Sequence, residues 1–204
     1  MKRLLQAVMV VAFLMPAVRA QEGGRTFAWT PVKVPISVFS RDLGMLDAER
    51  DEYATSLANC AANSIAQAKG SQAALDRGQR LLAVALNLSP RNRRAIIVNF
   101  QLSKGTLPEE TKGDYSPQVL ARLLLTRGQL LAKTESQENR MLARMFFQLA
   151  SELDPKNEDA VYASEVDRLD HGAVDWATLT RPRGEATPEP AKEPARPLTP
   201  VRQP

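Results

Sequence analysis

Two stretches of the chain carry the same order of starts and stops at one constant offset, the separation of Ser71 from Ser136, and this recurrence constrains the fold more than any other feature. Ala143, Phe147, Ala150 and Leu153 recur at spacings of four and three, which puts them on one face of a helix. Pro155 ends that helix, because it lacks a backbone donor and crowds the preceding turn. Asn157 caps the next helix, whose first apolar residues are Ala160 and Val161. Upstream, Gly78, Leu82, Ala85, Leu88, Pro90, Asn92, Ala95 and Ile96 hold the corresponding places, and Ser71 with Ser136 and Gln72 with Gln137 extend the match. Units of this kind cannot each bury an apolar face alone, and so they stack. The expected class is all-α, with stacked antiparallel helical hairpins. An aromatic content of 5% favours helices over a β-sandwich.

The remaining helices follow from local punctuation. A first helix is expected from Asp42 or Asp47 to Lys69, stopped by Gly70, and a second from Ser71 to Leu88. A third starts after Asn92 and ends near Lys104-Gly105. Ser116-Pro117 starts a fourth, running to about residue 133, since Ser caps and Pro fits the first turn. Thr134-Glu135-Ser136-Gln137 reads as a capping box for a fifth. The sixth runs from Asn157 to about Leu169 and is closed by His171-Gly172.

The ends differ in kind from this helical domain of residues 41–172. Residues 1–20 read as a secretory signal: Lys2 and Arg3, a short apolar run from Leu4 to Pro16, and small residues at Val18-Arg19-Ala20. Residues 21–40, with Pro31 and Pro35 among alternating apolar residues, read as an extended arm or a single edge strand. An arm laid along the helices is favoured over a strand given to a partner. Residues 173–204 read as a disordered, Pro-rich tail; seven of the 14 prolines lie in 182–204. Trp176 and Leu179, at its start, are expected to pack back on the sixth helix.

The pattern of a small residue, then a large one, then Ala, Leu, Pro, Asn and Ala resembles the second helix of a tetratricopeptide repeat running into the first helix of the next. The match covers Ala143 to Val161 and, more loosely, Gly78 to Ile96. The chain differs from the family at the Leu-Gly pair usual in the first helix, which is Asn99-Phe100 in one copy and Ser164-Glu165 in the other. In that family the first helix of each pair lines a concave groove. Carried over from Ala95 and Ala160, the resemblance implies partner-binding residues Arg94, Ile97, Gln101 and Lys104 on the third helix and Tyr162, Val166 and Leu169 on the sixth. Such a mixture suits a peptide with an acid near an apolar anchor, since Tyr and Arg are frequent hot spots.

Catalytic chemistry finds little support. The chain has one His, His171, and one Cys, Cys60. His171 sits beside a helix-ending glycine, where a cation suits the dipole, and Cys60 lies on an apolar helix face, where a thiol behaves as a small hydrophobe. Glu109-Glu110 lies in a polar loop and Glu158-Asp159 at a helix start that favours acids. There is no Gly-rich phosphate loop and no serine-nucleophile elbow. Net charge is +4, but loss of Lys2, Arg3 and Arg19 with the signal leaves 24 basic against 23 acidic residues. A net +1 gives no global case for nucleic-acid binding.

The expected function is therefore an exported, non-enzymatic protein–protein interaction scaffold of the bacterial cell envelope. It would be periplasmic or extracellular, without cofactor or metal, and would bind another protein or peptide. Two other readings stay open. One is an accessory or targeting domain of a larger envelope enzyme, with the Pro-rich tail as linker. The other is a binder of anionic envelope polymer or lipid through the cluster of Arg91, Arg93 and Arg94.

Overall fold

A computed structural model describes residues 27–113 and 116–180. Residues 1–20, the first part of the arm, and 181–204 lie outside it, so the signal and most of the expected tail fall beyond the described residues. Those residues form six α-helices and no strand: α1 Asp47–Gln67, α2 Gln72–Leu88, α3 Arg93–Ser103, α4 Pro117–Ala132, α5 Gln137–Leu153 and α6 Glu158–His171, followed by a 3-10 turn at Trp176–Leu179. The protein is all-α. Helices α2 and α5 are each 17 residues long. The start of α3 is separated from the start of α6 by the same length of chain that separates α2 from α5.

Local chemistry sets these boundaries. Asn92, Ser116, Ser136 and Asn157 each accept a hydrogen bond from the backbone N–H three residues on, satisfying one of the orphan donors at a helix start. At the end of α1 the chain turns through the left-handed region at Lys69 (φ 50°) and Gly70 (φ 71°), and the Gly70 N–H donates back to Ile65 O at 2.9 Å. The capping box expected at Thr134 is not formed. The Thr134 hydroxyl donates back to Leu131 O, and the cap of α5 is Ser136. A hydroxyl in the turn after a helix can reach a carbonyl of its last turn, and here the Thr134 hydroxyl joins its own N–H on Leu131 O.

The most extensive packing joins α1 to α2 and α4 to α5; α3 then lies on α1 and α2, and α6 on α5 and α4. Close approach within each pair depends on a missing side chain. A Cβ on Gly78 of α2 would stand 2.5 Å from Ile65 of α1, and one on Gly128 of α4 would stand 2.7 Å from the Phe147 ring of α5. Leu57, Ile65, Leu81, Leu82, Leu124, Leu142, Phe146 and Leu149 fill the core. Between the two groups of helices, the Tyr53 and Phe146 rings stack at 5.6 Å, and Arg80–Glu152 and Arg127–Glu49 pair at 2.6 and 2.8 Å.

Residues 27–40 pass over α3 and α2, held by two asparagines. Asn99 of α3 works like a neighbouring strand: its carbonyl accepts from the Val32 N–H (3.0 Å) and its amide donates to Val32 O (2.9 Å), while the Trp29 indole donates to the same carbonyl. Asn87 of α2, fully buried, accepts from the Val38 N–H and donates to Ala83 O and to Leu179 O, each bond 2.9–3.0 Å. Thus one side chain ties the segment before α1 to the turn after α6. Trp176 and Leu179 turn to α2 rather than chiefly back on α6, with the Arg80 guanidinium 5.8 Å from the Trp176 ring centroid. The next stretch joins the two helical groups. Ser40 donates to Glu138, the Gly44 N–H donates to Asn139, and Arg50 donates to Leu88 O and Ser40 O.

Candidate interaction surface

Helix α3 buries Ala95, Val98 and Leu102, a spacing of three and four that aims this stripe at α1 and α2. The opposite face is exposed and apolar in the middle, with Ile96, Ile97 and Phe100 between Arg93 at one end and Lys104 at the other. Phe100 is 61% exposed, and the Lys104 ammonium sits 5.5 Å from its ring centroid. Along one flank, the arm and α3 enclose an open groove of about 410 Å³ lined by Pro31, Val34, Pro90, Ile96, Phe100 and Ser103.

The expected site residues are distributed unevenly over this surface. Ile97 and Lys104 lie on the exposed face. Arg94 lies on its flank and is committed elsewhere: it donates to Asn59 Oδ1 and Thr111 Oγ1, both at 2.7 Å, and to Glu109 O. It anchors the loop after α3 to α1, with Asn63 binding the same Thr111 backbone. Gln101 is half-buried, and its carbonyl oxygen is buried with no partner among the described residues. On α6, Tyr162 and Leu169 are each 73% exposed, and Val166 is half-buried beside them. Helices α3 and α6 make no extensive contact with each other, so the two sets of residues lie on separate helices of the fold. Phe100 and Ile96 were not among the expected residues, and Arg93 entered only as a member of the arginine cluster. Their signal is the 3.6 period itself, since Arg93, Ile97, Phe100 and Lys104 lie on the face opposite Ala95, Val98 and Leu102.

The two helices carry opposite charge. From Ser89 to Lys104 there are four Lys/Arg residues and no acid; from Asp154 to Asp170 there are six acids against two Lys/Arg. The acids Glu158 and Asp159 in the first turn of α6 suit its dipole, whereas the first turn of α3 carries Arg93 and Arg94.

Cys60 is buried in α1, and burial pushes its thiol above the usual range. His171 ends α6 on the surface, 3.2 Å from Asp167, which also pairs with Arg144 at 2.9 Å. Among the described residues, no group of three or more His, Cys, Asp or Glu side chains is placed to hold a metal ion, and no helix is long and apolar enough to cross a membrane. No family model, curated protein or solved structure matches this chain.

Proposed function

We propose that the protein is an exported, non-enzymatic scaffold of the bacterial cell envelope, built from two tetratricopeptide-like helical units, that binds another protein through the outward face of α3. The observation that carries this reading is the exposed stripe of Ile96, Ile97 and Phe100 between uncompensated cations, beside the groove under the arm. Isolated exposed apolar residues are ordinary, but a contiguous stripe rimmed by charge marks an interaction site. The bounds of α2 and the start of α3, which recur in α5 and α6 at one constant offset, support the two-unit architecture.

Pull-downs from envelope extract with the chain starting at Gln21 test the binding. The scaffold reading expects a protein retained by the wild type and lost with Phe100→Ser combined with Arg93→Glu. Equal retention by both chains contradicts it. Export is tested by mass spectrometry of the native protein, which should find Gln21 first; an intact Met1 in the mature pool contradicts cleavage.

A further inference from the structure

We propose that copies of this chain associate head to tail, with the outward face of α3 in one copy seated on the outward face of α6 in the next. The inference rests on reading the α3 face as an interaction surface and adds the identity of one occupant, a second copy. Both helices end their own group of helices with an apolar stripe that nothing in the described chain covers: Ile97 and Phe100 on α3, Tyr162 and Leu169 on α6. Charge decides which stripe meets which. Arg93 forms no ion pair or hydrogen bond with the described residues, and neither do Glu158, Asp159 or Asp170. These charges are therefore available to a neighbouring molecule. Two α3 faces brought together would oppose cations to cations, and two α6 faces acids to acids; only α3 against α6 pairs opposite signs.

The lengths agree as well. Arg93 to Lys104 spans about 16 Å along its helix, and Glu158 to Asp170 about 18 Å. An antiparallel seating therefore sets Lys104 beside Glu158 and Arg93 beside Asp170, with Phe100 level with Tyr162 and Ile97 between the levels of Tyr162 and Leu169. It also sets the C-terminal end of one helix dipole by the N-terminal end of the other. The two faces lie on different parts of one molecule, so the contact is heterologous and leads to a chain or a closed ring rather than a two-fold dimer. Two helices of 11 and 14 residues bury a small area, which places the contact among weak, concentration-dependent associations.

Sedimentation velocity on the chain starting at Gln21, which keeps every described residue, tests this over a wide concentration range at low and high salt. Two double variants accompany it: Phe100→Ser with Lys104→Ser, and Tyr162→Ser with Leu169→Ser, both at exposed positions and both checked for retained helicity. The wild type should grow beyond a dimer with concentration at low salt and fall back toward monomer at high salt. Each variant alone should weaken self-association at least about tenfold. An equimolar mixture should form a one-to-one complex and nothing larger, because one intact face of each kind is left. A wild type that stays monomeric overturns the proposal, as does a variant that associates like the wild type or a mixture that fails to pair. The α6 variant also separates this proposal from the scaffold reading: it loses self-association but keeps the α3 face and any envelope partner bound there.

Discussion

Helices α3 and α6 begin with the same cap and the same buried alanine, Asn92 with Ala95 and Asn157 with Ala160, yet their surroundings have diverged. The first group of helices is wrapped: the arm lies on α3 through Asn99 and on α2 through Asn87. In the second group, Ser164 stands where Asn99 stands in the first, no described segment crosses α6 as the arm crosses α3, and Ala160 is the one residue of α6 that is buried among the described ones. The comparison teaches that stops, caps and crossings hold the backbone plan, while the solvent-facing positions are left for different attachments. One helix is basic and gripped by the arm; the other is acidic and bare.

The largest expected effects lie where the two groups agree. Phe147→Ala should cost about 3–5 kcal/mol, and Leu82→Ala, at the corresponding place, about 2–5 kcal/mol, because each empties a packed crossing. Urea midpoints of both variants check this. An unmoved midpoint in either would show that the crossings are not equivalent.

The next effect should separate the groups. Asn99→Ala strips the Val32 N–H and C=O of their partners and should cost about 1–3 kcal/mol. Ser164→Ala should stay within about 0.5 kcal/mol. Limited proteolysis of the Asn99 variant should cut within the arm first, while the Ser164 variant keeps the wild-type pattern. Equal destabilisation by both would break the contrast between a wrapped and a bare helix.

The smallest effect concerns the caps. Asn92→Ala and Asn157→Ala should each cost about 1 kcal/mol. Asn92 should cost more, since its amide also donates to Asp51 and to Thr55 at 2.8 Å, ties that Asn157 lacks among the described residues. Thermal melts of the two variants rank them directly.

What could be read from the sequence follows from the range of the interactions. Caps at Asn92, Ser116 and Asn157, the stop at Gly70 and the stripe of Ala143, Phe147 and Ala150 are decided within a few residues, and they appear where local rules put them. The choice between Thr134 and Ser136 went the other way, because both hydroxyls had a local partner and the last turn of α4 took one of them. The arm's attachment was out of reach of local reasoning: Val32 meets Asn99 and Val38 meets Asn87 from far apart in the chain, and nothing in an Asn side chain announces which distant backbone it will pair with. The same holds for Arg94. Its sequence position marks a helix start beside two other arginines, but its hydrogen bonds to Asn59 and Thr111 commit it to holding a loop. Gly128 carried no signal either, since its importance lies in a Phe147 ring on another helix.

The central claim is that the outward face of α3 is a protein-binding surface, and site-specific photocrosslinking in the native envelope tests it most directly. A photoreactive residue replaces Ile97 on α3 or Leu130 on α4, both exposed apolar positions, so reactivity and exposure are matched. The account predicts discrete adducts of defined mass from position 97, containing a second protein, and none of comparable yield from position 130. Position 97 giving only unmodified chain, or the same diffuse products as position 130, would contradict it.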